Sequence, residues 1–207
     1  MSTETILKAA EAAREAIAAN ESEIEHLDRA IGDGDHYINI KRGAETIIAL
    51  APDLADKAPG EAMKAIAMKL MSTIGGASGP LIASFFLAAS KTEGIDEPWT
   101  AATVARLTRD GVEAIKKRGK ADLGHKTMLD VLIPVAAALE DGAASGEAGD
   151  ALAERVVATA EAGKDSTRDL TAHYGRAAFL GERAIGTVDP GAMSSFIIIR
   201  AICGATR

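Results

Sequence analysis

Along almost the whole chain apolar residues return every three or four positions, and no run alternates at every second position for long enough to make a strand. That period restricts the chain to helices, each with one buried stripe. In residues 5–19, for example, Ile6, Ala9, Ala10, Ala13 and Ile17 share a face, with Lys8, Glu11, Arg14 and Glu15 largely opposite. Composition supports the same reading. Hydrophobic residues make up 47% of the 207 residues but aromatic ones only 3%. The interior is therefore built from Ala, Leu, Ile, Val and Met, which suits closely spaced helices better than a β-sandwich.

Glycine, proline and capping residues divide the pattern. A helix from His36 ends before Pro52, another spans about residues 61–73, and the almost wholly apolar residues 81–89 are expected to lie at the centre of the packing. Thr100 opens a helix reaching about Lys117, and Thr127 caps an apolar one kinked at Pro134. A long helix is expected over residues 150–173, weakened by about 1 kcal/mol at Gly163. Asp189 and Pro190 occupy the N-cap and first helical positions of the last helix. The chain reads as all-α: about eight antiparallel amphipathic helices in a closed helical barrel or bundle, one domain over residues 1–207.

A formal net charge of −7 and the lack of any Lys/Arg run exclude a nucleic-acid partner. No secretory signal opens the chain, and the longest apolar stretch, cut by Arg200, is too short for a membrane span. One cysteine, Cys203, leaves no intrachain disulfide and no cysteine-based zinc site. The expected setting is cytoplasmic.

Residues 27–43 hold the densest set of potential metal ligands. Asp28 lies near the end of a helical pattern, Gly32 and Gly34 permit a tight turn, and Asp33 and Asp35 flank Gly34. Three carboxylates at one point suit Mg²⁺ better than Ca²⁺. Asp35 is also placed to cap the helix starting at His36, whose free N–H groups would favour a phosphate. Aspartates and glycines also make ordinary capped turns. An EF-hand is excluded, because Tyr37 and Ile38 occupy a ligand position and the required glycine. Residues 75–80, Gly-Gly-Ala-Ser-Gly-Pro, are either a second phosphate-facing turn or a helix crossing. Residues 119–127 fall one residue out of register with a phosphate-binding P-loop, and no strand precedes them.

Four motifs stand in order: Asp28-x4-Asp33-Gly34-Asp35-His36, the Gly75–Pro80 turn, Lys126-Thr127-Met128-Leu129-Asp130, and Gly175-Arg176-Ala177 with Leu180-Gly181-Glu182-Arg183 leading to Asp189-Pro190-Gly191. In order and spacing they resemble the nucleotide-binding L subunit of bacterial dihydroxyacetone kinase over essentially the whole chain. The resemblance implies an eight-helix barrel binding ADP or ATP with two Mg²⁺ ions at one end. Asp28, Asp33 and Asp35 would be the metal ligands. His36, Tyr37, Ile38, Asn39, Ala77 and Ser78 would meet the phosphates, and Gly119, Met128, Arg176, Asp189 and Pro190 would surround the nucleotide. It further implies phosphoryl transfer to dihydroxyacetone held on a separate K subunit, with either ATP or a phosphotransferase-system protein as donor. Two positions depart from the family. Tyr37 stands in place of Gly beside the phosphates, and His125 in place of Asp before Lys126, which opens the substrate to a related ketose such as erythrulose. A nucleotide-sensing module docked on a transcription regulator is the alternative. A metal-dependent phosphohydrolase is a third reading, for which no residue is clearly placed as general base.

Overall fold

The computed structural model describes residues 3–76 and 78–205, and among them the chain forms ten α-helices, two 3₁₀ segments and no strand. The helices are α1 (Thr3–Ala19), α2 (Glu21–Ile31), α3 (His36–Ala49), the single turn α4 (Ala51–Leu54), α5 (Pro59–Thr73), α6 (Ser78–Ala89), α7 (Ala101–Gly119), α8 (Leu129–Ala144), α9 (Gly149–Ser166) and α10 (Pro190–Ala205). The 3₁₀ segments are Thr167–Asp169 and Arg176–Ala184. Eight of the helices close a ring in which α1 packs on α3, α3 on α5, then α6, α7, α8, α9 and α10 follow in turn, and α10 returns to α1. A closed helical ring is as expected, and the count of about eight holds for the ring alone; α2 packs against α3, α10 and the second 3₁₀ segment.

Neighbours in the ring run in opposite directions. At one end the Thr3 hydroxyl donates to the Lys57 carbonyl (2.8 Å) and Gly60 N–H donates to Asp96 (2.8 Å), tying the starts of α1 and α5 to the turn before α7. At the other end α3, α6, α8 and α10 begin, and α1, α5, α7 and α9 finish. All the connections that carry the sequence motifs meet there.

Small residues allow the helices to approach closely. Ala10, Ala44, Ala62, Ala83, Ala105, Ala160 and Ala192 are all buried between them. At Gly163 backbone meets backbone: a Cβ there would sit 2.4 Å from the Asp130 carbonyl oxygen and 3.0 Å from Val131 Cα. Gly163 is therefore the contact point of α8 and α9, not a weak point in an isolated helix.

Two expectations change. Within residues 81–89 only Ala83 and Ala89 are buried, and Phe85, Phe86 and Leu87 remain partly exposed. A helix in the wall of a ring has covered flanks and an uncovered outer side, however apolar it is. The helix expected over residues 150–173 ends at Ser166 and breaks into a 3₁₀ turn, because the carbonyl groups of Thr167 and Arg168 turn aside to Lys126. The caps at Thr100 and Asp189 are as expected: Thr100 Oγ1 accepts from Thr103 N (3.2 Å) and Asp189 Oδ2 from Ala192 N (2.8 Å). No helix among the described residues is long and apolar enough to cross a membrane.

Candidate functional site

The turn between α2 and α3 brings Asp28, Asp33 and Asp35 together, with one carboxylate oxygen from each lying within 4.8 Å of the others. Asp28 is buried near the end of α2, whereas Asp33 and Asp35 are exposed. Gly34, at φ 80°, supplies the left-handed conformation that lets the chain reverse between the two exposed carboxylates. Asp35 holds the N-cap position of α3 as expected, but its side chain makes no capping bond. Asp28 caps the helix instead: its Oδ2 accepts from His36 N (2.9 Å), eight residues away. The Arg176 guanidinium reaches the cluster from the far loop, with Nε 2.6 Å from Asp33 Oδ2. A set of three hard oxygen donors, with a cation already drawn to it, fits Mg²⁺.

The flanking residues fall into two groups. His36 is half-buried, and its Nε2 lies 2.9 Å from Ser194 Oγ, which itself donates to the Gly191 carbonyl (3.1 Å). Burial holds the His36 imidazole below its ordinary pKa, against the opposing charge of the neighbouring aspartates. Asn39 is buried and faces the Gly75 turn, where a Gly75 Cβ would lie 3.7 Å from its Oδ1. Ser78 begins α6 at that turn, and Ala77 lies outside the described residues. Met128 stands against Gly191, beside Asp189 and Pro190. Gly119 ends α7 at the same end of the ring, next to Leu81.

Tyr37 and Ile38 behave differently. The Tyr37 ring is buried and its hydroxyl donates to Glu21 Oε2 (2.9 Å). Burial and that carboxylate raise its pKa. Tyr37 thus links α3 to α2. Ile38 is exposed. His125, the other departure, accepts from Asp122 N through Nδ1 (3.0 Å), and its ring lies 5.2 Å from both His173 and Tyr174.

Two buried residues of the third motif carry structural roles that the sequence reading did not assign. Asp130 accepts from Gly124 N (2.5 Å) and Thr127 N (2.7 Å), and Thr127 Oγ1 accepts from Leu129 N (3.1 Å). The Thr-x-x-Asp spacing of a capping box was the available signal. Lys126 is 1% exposed and donates to the carbonyls of Thr167 (2.5 Å), Thr187 (2.6 Å) and Arg168 (3.4 Å). Nothing local in the sequence marks it, because its partners are 41, 42 and 61 residues away.

Asp189 is half-buried, and loss of water pushes its carboxyl up to about 7, against the N–H groups of Ala192 and Gly191 and the Lys126 cation. Its folded pKa thus exceeds the unfolded value of 3.8. The stability it contributes is full below the unfolded value and is lost as pH rises through about 7. Conversion gives a ceiling of about 4 kcal/mol, which partial hydration brings to about 2 kcal/mol. Asp189→Asn keeps an acceptor for the cap and cannot ionise, so its urea midpoint should fall less than that of the wild type between pH 5 and pH 8. Parallel pH profiles for the two proteins would assign the slope to other groups.

The model of the DAK2 domain matches residues 30–204. The chain is 38% identical over 192 residues to "PEP-dependent dihydroxyacetone kinase, ADP-binding subunit DhaL" of Escherichia coli (strain K12), covering 92% of this chain and 91% of that one. It is 42% identical over 191 residues to "PTS-dependent dihydroxyacetone kinase, ADP-binding subunit DhaL" of Lactococcus lactis subsp. lactis, covering 91% and 90%. Among solved structures, the dihydroxyacetone kinase from C. freundii in complex with AMP-PNP and Mg²⁺ superposes with a TM-score of 0.71 at 25% identity. That match covers 96% of this chain and 33% of the longer one. The resemblance seen in the four motifs therefore extends over the chain and its fold, and the chain belongs to the DAK2 domain family.

Proposed function

We propose that this chain is the ADP- or ATP-binding subunit of a dihydroxyacetone kinase, presenting Mg-nucleotide to dihydroxyacetone or a related ketose held on a separate K subunit. The observation that carries the reading is the convergence of three aspartate oxygens within 4.8 Å beside the start of α3, in a chain so similar to ADP-binding subunits. Asp28, Asp33 and Asp35 would hold two Mg²⁺ ions. Bound Mg²⁺ would neutralise phosphate oxygens and stabilise the charge that develops during phosphoryl transfer.

The chain's own groups supply orientation. The first turn of α3, from His36 to Asn39, begins beside the three carboxylates, and the positive end of its dipole favours an anion there. Ala77 and Ser78 would approach the phosphates from the second turn, and Gly119, Met128, Asp189 and Pro190 would enclose the nucleoside. Arg176 rests on Asp33 and is free to transfer to a phosphate oxygen, as a planar fork suited to it. The acceptor site lies on the partner. The names of the relatives, "PEP-dependent" and "PTS-dependent", favour a retained ADP that is recharged by a phosphotransferase-system protein.

Calorimetric titration of nucleotide-free protein with ADP and Mg²⁺ tests the site. Asp33 is partly exposed and its Arg176 partner is 67% exposed, so Asp33→Ala should change stability by less than about 1 kcal/mol. It should also weaken Mg²⁺-dependent ADP binding by about 100-fold, roughly 3 kcal/mol. Equal affinity in the variant would remove Asp33 from the site. Formation of dihydroxyacetone phosphate with a cognate K subunit separates the kinase from a nucleotide-sensing module, which binds nucleotide and transfers nothing.

A further inference from the structure

Lys126 is held in an unfavourable way twice over. Its backbone is in the left-handed region at φ 57°, rare for a residue with a long side chain, and its ammonium group is buried. A methionine would fill the same space without a buried charge. What the cation adds is three hydrogen bonds, to carbonyls on both ends of one loop: Thr167 and Arg168 where it leaves α9, and Thr187 where it returns to α10. The neck is closed further by Gly186 N donating to the Arg168 carbonyl (2.8 Å), Arg168 Nη1 to the Gly186 carbonyl (3.1 Å) and Asp189 N to Thr167 Oγ1 (3.0 Å). Beyond the neck, Ala172, Ala177 and Ala184 pack on Ile31, three residues from Asp28, and Arg176 pairs with Asp33.

We propose that Lys126 is a positioning residue: by clamping the neck of the 168–187 loop it fixes Arg176 and the Asp189–Pro190 turn over the three aspartates. This deepens the nucleotide-site reading and rests on it for its effect on binding, though not for its effect on the loop. A single ammonium fixes both ends because its three N–H groups diverge to separate acceptors. Backbone strain and a buried cation persist only where the surrounding contacts over-determine them. Here those contacts lie between the loop and the core, not within either.

The test uses Lys126→Met, which preserves the packed volume, and Lys126→Arg, which preserves the charge but not the compact tetrahedral group. Hydrogen exchange is measured on the full chain without nucleotide. In Lys126→Met the amides of residues 168–189 should exchange at least about tenfold faster, with those of α5 to α7 unchanged. Uniform acceleration over the whole chain, or none in this loop, would overturn the clamp. Titration with ADP and Mg²⁺ gives the second readout. Loss of about tenfold or more in affinity in Lys126→Met, no greater when Arg176→Ala is added, is the expected coupling. Normal ADP affinity with a loosened loop would overturn the positioning role and leave Lys126 as a structural staple. Absence of ADP binding in the wild type would overturn the nucleotide reading, and the exchange result would still decide the clamp. Recovery of full loop protection in Lys126→Arg would overturn the need for the compact ammonium.

Discussion

Gly163→Ala is expected to destabilise the protein by about 2 kcal/mol, the opposite of what the same change does in an ordinary helix. In an exposed helix interior, alanine is better than glycine by about 1 kcal/mol. Here the new methyl group would lie 2.4 Å from the Asp130 carbonyl oxygen and 3.0 Å from Val131 Cα. Both are backbone atoms, so no side-chain rotation relieves the overlap, and α8 and α9 must separate. Overpacking of this kind costs about 3 kcal/mol or more when the neighbour cannot yield, which outweighs the gain in propensity. For a chain of this length the melting temperature should fall by about 4–8 °C. Thermal and urea unfolding decide the matter, and a variant as stable as the wild type would mean that the two helices are not locked at this point. Because the overlap falls on Asp130, whose carboxylate organises Gly124 and Thr127, the loop before α8 should also lose protection from exchange.

Asp28 should separate two roles according to the substitution. It is a buried carboxylate that caps α3 through His36 N and a member of the three-oxygen cluster. Asp28→Asn keeps an oxygen for the cap and relieves repulsion among the carboxylates, so without metal its melting temperature should equal or exceed that of the wild type. Asp28→Ala loses the cap as well and should be less stable by about 1–2 kcal/mol. ADP with Mg²⁺ at a hundred times its dissociation constant should stabilise the wild type by about 2.7 kcal/mol, a rise of about 5–10 °C, and should leave both variants almost unmoved. A full rise in Asp28→Asn would take Asp28 out of the ligand set, and equal stability of the two variants without metal would take it out of the cap.

What the sequence disclosed were the local features. The Asp189 cap and Pro190, the Thr100 cap and the helical period each depend on residues a few positions apart, and each stands where it was expected. The convergence of Asp28, Asp33 and Asp35 was likewise readable, because a helix end and two glycines within eight residues leave the chain few other courses. What escaped depends on contacts made across the ring. Asp28 rather than Asp35 caps α3 because the chain doubles back over the turn. Gly163 looked like a weak point because the neighbouring helix is invisible from within its own. The early end of α9 follows from Lys126 drawing two carbonyls aside. The apolar α6 suggested a central element, yet its place in the wall leaves it partly uncovered. The bond from the Tyr37 hydroxyl to Glu21, 16 residues back on α2, likewise depends on how two helices pack.

The alternating direction of the ring also decides how this protein can be handled. Thr3 begins α1 beside Lys57, and α10 carries the chain away from Pro190 for 16 residues, roughly 24 Å, to Ala205. Both of these positions lie at the end opposite the aspartates. An anchor tag, a fluorescent label or a fused protein attached beyond either one would leave the aspartate mouth facing outward, open to a partner arriving from solution.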